Sequence, residues 1–253
     1  MHRSSSTTHD NTDKTMWQSF LQRRLVHCSF SLMKKKGKTP AEQRWMLRQR
    51  KDPYVKASHA QHFRCRSAFK LLEIDDKFHL LQPGYGVVDC GAAPGAWSQV
   101  AVQRVNSDGA DPESPFGTVV GIDLLNIPPL DGAHFLSSHD VTDPSTHTKL
   151  LELLPGGQAH VILSDMAPNA SGFKEMDHER LIRMCFSLLD LAEKILKPGG
   201  SLICKYWDGA LAQKLQEKLS GVFGSVRTLK PNASRKDSAE KYFFAQMYKK
   251  PMR

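Results

Sequence analysis

Short apolar segments of strand character alternate with amphipathic helical segments along most of this chain. Seven segments are predicted as strands, at residues 87–90, 118–123, 134–136, 161–164, 202–206, 226–229 and 242–247. The clearest helix is predicted over residues 177–197, where one apolar stripe repeats at helical spacing until a Lys-Pro-Gly-Gly sequence stops it. This alternation predicts an α/β fold with a mostly parallel sheet and helices on both faces. The last two strands lack a convincing helix between them, which predicts a terminal antiparallel hairpin.

Residues 87–97 (VVDCGAAPGAW) are predicted as the first strand, a glycine-containing turn and the start of a helix. In doubly wound folds this turn lies at the carboxyl edge of the sheet, where ligands bind. It lacks the G-x-G-x-x-G order of dinucleotide-binding proteins, and Pro94 interrupts it. Asp123 ends the next strand, where its carboxylate is placed to accept hydrogen bonds from ribose hydroxyls, and Asp140 follows the third strand, in reach of an adenine amino group. The turn and the two aspartates favour a nucleoside-containing cofactor over a dinucleotide.

Three stretches of the chain resemble the FtsJ-like ribosomal RNA 2′-O-ribose methyltransferases. They are residues 64–71 (RCRSAFKL), 89–99 (DCGAAPGAWSQ) and 164–172 (SDMAPNASG). The resemblance covers residues 53–248 and implies a Rossmann-like S-adenosylmethionine-dependent fold, with seven strands of which the last is antiparallel. The chain departs from bacterial members at Ala96, where they often have glycine, and in a longer loop at residues 106–116.

The resemblance also implies the site residues. The cofactor, S-adenosyl-L-methionine, is expected to contact Gly91, Pro94, Gly95, Ala96, Trp97, Asp123, Asp140 and Asp165. A catalytic tetrad is expected at Lys70, Asp165, Lys205 and Glu240.

Methylation of a ribose 2′-hydroxyl requires a group that removes its proton. We expect Lys205 to be this proton acceptor, held by Asp165, while Lys70 and Glu240 position the ribose and tune Lys205. A lysine accepts a proton only when it is partly neutral, and desolvation or a second nearby cation favours that form. The alternative for Lys205 is a strand-end lysine whose amine reaches solvent.

Other side chains near these motifs have less specific signals. Trp97 is expected to pack at the cofactor turn rather than to stack on a base, whereas Tyr206 and Trp207 fit either RNA contact or core packing. Contacts with RNA phosphates are expected at Lys230, Arg235 and Lys236. The 11 histidines show no metal-site spacing, and the 5 cysteines contain no C-x-x-C pair, so neither a metal nor a disulfide framework is predicted.

The positive charge of the chain is confined to its first quarter. Residues 1–60 contain 13 Lys and Arg against 4 Asp and Glu, a net charge of +9, and residues 61–253 contain 22 of each. We expect a disordered leader with a mitochondrial presequence at residues 1–40, a basic extension at residues 41–60 that binds RNA, and a methyltransferase domain at residues 61–253. The alternative for the leader is a basic RNA-binding or flexible arm. No apolar run is long enough to span a membrane.

The family resemblance, taken with the basic leader, implies a mitochondrial matrix enzyme that methylates a uridine ribose in large-subunit ribosomal RNA and supports assembly of that subunit. Its partner is expected to be this RNA or a pre-ribosomal particle, and the protein is expected to be a monomer. Two alternatives remain open. One is a transfer-RNA ribose 2′-O-methyltransferase, and the other is a non-catalytic RNA-binding assembly factor.

Overall fold

The computed structural model describes residues 40–169 and 171–250. The chain divides into two units, residues 1–51 and residues 52–253. The described part of the first unit is helix α1 (Pro40–Lys51), which carries Arg48, Arg50 and Lys51 in its last turn. The predicted presequence and the lysines at 34–38 lie outside the described residues. Within the described ranges, no helix is both long enough and apolar enough to cross a membrane.

The second unit alternates helices and strands. Its helices are α2 (Pro53–Ala60), α3 (Ala68–Phe78), α4 (Ala96–Val105), α5 (Pro144–Leu153), α6 (Lys174–Ile195) and α7 (Ala212–Val222), with a 3₁₀ turn at Pro155–Gly157. Its strands are β1 (Gly86–Cys90), β2 (Thr118–Asp123), β3 (Ala133–Ser137), β4 (Ala159–Ser164), β5 (Leu196–Trp207), β6 (Phe223–Leu229) and β7 (Glu240–Tyr248). All seven predicted strands are present, and only β2 has the predicted bounds at both ends.

The seven strands form one sheet in the order β3-β2-β1-β4-β5-β7-β6. The five neighbouring strands β3, β2, β1, β4 and β5 pair in parallel, so their carboxyl ends meet at one edge of the sheet. Strand β7 lies antiparallel to β5 and to β6, which confirms the predicted terminal hairpin and the antiparallel last strand. The α/β fold class is therefore confirmed.

Helices pack on both faces of this sheet because successive strand residues point to opposite faces. Val87 faces the core formed with α3 and α4, and Val88 faces the core formed with α5, α6 and α7. Both valines are fully buried. The two cores fix the sheet between helix layers and leave its carboxyl edge to be shaped by loops.

The predicted end of the long helix was wrong. Helix α6 ends at Ile195 rather than at residue 197, and Leu196 already pairs with Ala159 of β4. The register then resumes at Ser201, opposite Val161, so residues 197–200 form a bulge at the start of β5. The Pro and Gly residues that follow cannot continue a helix, as expected, but the helix has already ended because Leu196 pairs with β4.

Candidate active site

The glycine turn after β1 is packed tightly against two neighbouring segments. Gly91 has a φ of +76°, and a side chain there would lie 2.2 Å from Met166, in the loop after β4. Gly95 has a φ of +101°, and a side chain there would lie 2.4 Å from the guanidinium of Arg64. Both positions therefore require glycine for backbone conformation and for close approach.

Arg64 fastens this turn to the segment after β2. Its guanidinium donates hydrogen bonds to the carbonyl oxygens of Pro94 at 2.9 Å and of Pro128 at 2.8 Å, and also to that of Pro129. Partial burial lowers the pKa of Arg64. Three carbonyls from two separate loops thus converge on one side chain, which fixes the position of the turn.

Asp123 lies at the carboxyl end of β2, beside the turn. One carboxylate oxygen accepts the backbone N–H of Ala93 at 2.9 Å, and the other accepts that of Leu125 at 2.8 Å. A carboxylate has about four acceptor positions, so both oxygens keep capacity for a ligand hydroxyl. The backbone carbonyl of Asp123 accepts the N–H of His139, which brings the exposed Asp140 to the same edge of the sheet.

The remaining turn residues continue into helix α4. Pro94 is half-buried, whereas Ala96 and Trp97 are buried. The indole of Trp97 donates to the carbonyl oxygen of Ser67 at 2.9 Å and packs against the ring of Tyr242, so it lies in the core as expected. No side chain caps α4, whose first turn follows Gly95. Free backbone N–H groups at a helix N-terminus favour a negatively charged ligand group.

Asp89 is a buried acid that the sequence reading did not single out. It is 1% exposed, and its carboxylate accepts a hydrogen bond from Ser98 at 2.7 Å. Burial raises the pKa of Asp89 to about 7, against the lowering effect of Ser98, and the carboxylates of Asp165 and Asp123 add to the rise. A polar residue inside the apolar run of β1 is the signal that marks this position.

The four residues of the expected tetrad lie in one cluster at the carboxyl edge. Lys70 is on α3, Asp165 follows β4, Lys205 is on β5 and Glu240 begins β7. Lys70 and Lys205 are each 8% exposed, so neither amine extends freely into solvent.

Asp165 occupies the centre of this cluster. Its carboxylate lies 3.0 Å from the Nζ of Lys205 and 3.4 Å from that of Lys70. It also accepts hydrogen bonds from the hydroxyl of Tyr242 at 2.6 Å and from the hydroxyl of Ser67. Burial alone would raise the pKa of Asp165, but Lys205, Lys70 and the two hydroxyls hold that pKa well below its ordinary value. These donors occupy the acceptor positions of the carboxylate, so a cofactor contact through the same side chain competes with them.

The two lysines have different surroundings. The Nζ of Lys70 lies 2.9 Å from each carboxylate oxygen of Glu240 and donates to the Tyr242 hydroxyl at 3.0 Å. Lys70 therefore contacts two carboxylates, whereas Lys205 contacts Asp165 alone among the acids of the described chain, together with the Asp165 carbonyl oxygen. Because Asp165 contacts both amines, it reduces the repulsion expected between them.

The segment before Glu240 is held against helix α3. Glu73 accepts the backbone N–H of Asn232 at 2.6 Å and that of Ala233 at 2.8 Å. The next residue, Ser234, donates to Glu240 at 2.7 Å. Since Glu73 lies one turn after Lys70 on α3, a single helix positions Lys70 and the segment that carries its acidic partner.

Sequence reasoning missed Arg64, Ser67, Glu73, Ser234 and Tyr242. Tyr242 had an available signal, because it lies two residues after Glu240 and strand alternation places both on one face. Ser67 immediately precedes α3 and is three residues before Lys70, a spacing that places the two residues on one face of a helix. The contacts of Arg64 and Glu73 join segments that are distant in sequence, and no spacing indicates them. Ser234 contacts Glu240, six residues further along the chain, but nothing in the sequence pattern selects it.

The candidate RNA-contacting side chains differ in their surroundings. Tyr206 is buried and stacks on Phe243, with ring centroids 3.8 Å apart, so core packing is its role, whereas Trp207 is half-exposed. Lys236 is exposed, Lys230 donates to the carbonyl oxygen of Ser238, and Arg235 lies 3.7 Å from Asp52. Among the described residues, no group of three or more His, Cys, Asp and Glu is arranged to hold a metal ion.

Comparison with known proteins matches this architecture to one family. The model of the FtsJ-like methyltransferase family matches residues 63–248. The "rRNA methyltransferase 2, mitochondrial" of Drosophila melanogaster is 42% identical over 214 residues, which cover 85% of this chain and 86% of that protein. The "Ribosomal RNA large subunit methyltransferase E" of Acidiphilium cryptum is 46% identical over 210 residues, covering 83% of this chain and 88% of the relative.

A solved structure shares the fold. It is the crystal structure of a protein assigned as a ribosomal RNA methyltransferase from Plasmodium falciparum, with a TM-score of 0.65 and 26% identity. The match covers 75% of this chain and 100% of that one.

Proposed function

Because this chain belongs to the FtsJ-like methyltransferase family, we propose that it methylates the 2′-hydroxyl of a uridine ribose in mitochondrial large-subunit ribosomal RNA. The enzyme class is that of its relatives, which are named as ribosomal RNA methyltransferases. The observation that carries the proposal is the buried cluster of Lys70, Asp165, Lys205 and Glu240 beside the glycine turn. The mitochondrial location is supported by the Drosophila relative and by the basic leader of the sequence.

The residues of the turn fit S-adenosylmethionine as cofactor. When bound, this cofactor supplies a methyl group on a positively charged sulfur. Asp123 offers carboxylate oxygens to a ribose diol, and the uncapped start of α4 offers backbone N–H groups to a carboxylate. Asp140 is exposed at the same edge and is available to an adenine amino group. Gly91 and Gly95 hold the turn in the conformation that places these groups together.

We propose that Lys205 accepts the proton of the 2′-hydroxyl. Transfer of the methyl group would break its bond to sulfur, leaving a neutral thioether, and form a bond to the ribose oxygen. The Lys205 Nζ, as a neutral amine, would accept the proton of that hydroxyl, so the oxygen would not carry an unfavourable positive charge. Asp165 orients Lys205 through the 3.0 Å contact and stabilises the ammonium that forms. Lys70 is the less suitable base because its amine is already engaged by Glu240, Asp165 and the Tyr242 hydroxyl.

Lys70 and Glu240 are proposed to position the ribose. Their side chains are held in one geometry by Tyr242 and Ser234. Holding two reactants in a reactive geometry supplies about 7–11 kcal/mol of a barrier, so a rigid set of donors and acceptors around the target hydroxyl is itself catalytic.

Mapping of 2′-O-methyl groups in mitochondrial RNA tests the proposal. We expect cells without the gene to lose one methylated uridine in the large-subunit ribosomal RNA, and wild-type protein to restore it. A Lys205→Ala protein should not restore it. An unchanged large-subunit map with a lost methyl group in transfer RNA would support the transfer-RNA alternative. Full rescue of ribosome assembly by Lys205→Ala would support an assembly role that needs no catalysis.

A further inference from the structure

A cavity lies at the edge of the sheet opposite to the tetrad. Its volume is about 330 Å³, and it opens beside the amino ends of β1, β4 and β5. Its polar side chains are His79, Tyr85, His160, Lys197, Ser201 and Gln246. Within the described part of the chain, this lining contains two histidines and a lysine but no carboxylate.

His160 has a fixed ring and a fixed tautomer. The ring stacks on Tyr85, with centroids 4.3 Å apart and an interplanar angle of 5°. The backbone N–H of Gly86 donates to its Nδ1 at 2.8 Å, and because an amide N–H only donates, Nδ1 carries no hydrogen. Burial and the charge of Lys197 lower the pKa of His160, so the ring is neutral near pH 7. Its single N–H is therefore at Nε2.

This N–H faces another donor. The Nζ of Lys197 lies 3.1 Å from the Nε2 of His160. An ammonium has three donors and no acceptor, so the two groups do not satisfy each other. The N–H of His160 and the ammonium of Lys197 are therefore adjacent donors in the lining of the cavity.

Two other histidines each contact a lysine amine and a carbonyl oxygen in a way that satisfies both ring nitrogens. His147 contacts the carbonyl oxygen of Val141 through Nε2 at 2.7 Å and the amine of Lys194 through Nδ1 at 2.7 Å. One neutral tautomer serves both contacts, because Nε2 donates and Nδ1 accepts. His139 makes the same arrangement with its two nitrogens exchanged. No neutral or charged form of His160 satisfies both of its contacts.

We propose that His160 and Lys197 bind a phosphate group at this edge of the sheet. A phosphate oxygen beside the two nitrogens, at the apex of a triangle with them, would accept from both at about 2.8 Å, which resolves the conflict between the donors. The bulge at residues 197–200 places Lys197 opposite His160, and His79 adds a third nitrogen-containing side chain to the cavity. The phosphate is either free or part of an RNA backbone, and only the second case rests on the proposed function.

Nuclear magnetic resonance of the histidine rings in the full chain tests the phosphate site directly. Addition of inorganic phosphate should shift the His160 ring signals saturably, relative to chloride at the same ionic strength. The shift should be lost in Lys197→Gln and kept in Lys194→Gln, the matched variant at the satisfied His147 pair. His160→Gln assigns the signals. An Nδ1–H tautomer at His160, or a phosphate effect equal to that of chloride, would overturn the proposal.

A large-subunit RNA fragment in phosphate-free buffer distinguishes the two sources. If the ligand is an RNA phosphate, the fragment shifts the His160 signals, and Lys197→Gln lowers the slope of log affinity against log salt by about 1. The same variant should keep its turnover at saturating RNA, because the tetrad lies at the opposite edge. A response to inorganic phosphate without one to RNA supports a free phosphate as the ligand. This readout does not require methyl transfer, so failure of the proposed activity leaves the phosphate measurement interpretable.

Discussion

A carboxylate oxygen of Asp165 lies 3.0 Å from the Nζ of Lys205. The same carboxylate contacts Lys70, Tyr242 and Ser67. Asp165 is therefore the group through which the amines and hydroxyls of the site are held together. Its low pKa keeps it ionised at every pH at which the enzyme is expected to work.

Tyr242→Phe separates the hydroxyl network from the packing of the ring. The variant removes the hydroxyl that donates to Asp165 and accepts from Lys70, but it keeps the ring beside Trp97. We expect single-turnover methyl transfer to fall about five- to thirtyfold, because the variant loses two hydrogen bonds, each with a net value of about 1 kcal/mol or less. A decrease as large as that of Lys205→Ala would show instead that Tyr242 takes part in the proton transfer.

Arg64→Lys tests the link between the cofactor turn and the loop after β2. A lysine amine carries its donors on one nitrogen, so it does not reach three carbonyl oxygens as the broader guanidinium does. We expect the dissociation constant for S-adenosylmethionine, measured by calorimetry, to rise about tenfold while kcat changes little. Arg104→Lys is the matched control, because Arg104 lies on α4 but pairs with Asp75 and Asp76. Equal effects of the two variants would contradict a specific role of Arg64.

Glu73→Ala tests whether the segment before Glu240 must be held. Loss of the two backbone contacts should let Ser234 and Glu240 move away from Lys70, so we expect kcat to fall about tenfold with unchanged cofactor affinity. Glu73→Gln keeps one carbonyl acceptor and should recover part of the activity. The control Asp76→Ala changes an exposed acid on the same helix and should leave kcat unchanged. A loss of cofactor affinity in Glu73→Ala would point to general unfolding instead.

Asp89→Asn tests the buried acid beside the turn. The pKa of Asp89 is about 7 in the folded protein against 3.8 for an ordinary aspartate, so the folded state favours the protonated form. Its stabilising contribution is complete below about pH 4 and is lost as the pH rises towards 7. We expect the free energy of unfolding of Asp89→Asn to rise relative to that of the wild type by a few kcal/mol between about pH 4 and pH 7. The free energy of unfolding of both proteins should be measured by denaturant titration at several pH values. An equal pH dependence in the two proteins would contradict the raised pKa.

The fold could be predicted from the sequence because its signals are local. Adjacent valines at 87 and 88 mark a strand buried on both faces, and the absence of a helix before residue 242 marks the hairpin. The predicted end of α6 was wrong because the observed end depends on pairing between Leu196 and Ala159, which no local pattern indicates.

The site was predicted through the family resemblance rather than through its geometry. Lys205 alone reads as a strand-end lysine, and its burial and its short contact with Asp165 distinguish it from one. The contacts of Arg64 and Glu73 arise between segments that come together only in the folded chain. Their residue types are common on protein surfaces, so the sequence gives no reason to select them.

The rate of methyl transfer by Lys205→Ala tests the central claim most directly. Lys241 is the matched control, because it lies between Glu240 and Tyr242 on β7 and pairs with Asp208 instead of Asp165. Single-turnover rates should be measured at saturating RNA and cofactor, with cofactor affinity as the check on folding. Loss of a general base predicts a decrease on the order of 10²–10⁴-fold for Lys205→Ala, with Lys241→Ala close to wild type. A Lys205→Ala protein that transfers methyl groups at the wild-type rate would contradict the assignment of Lys205 as the proton acceptor.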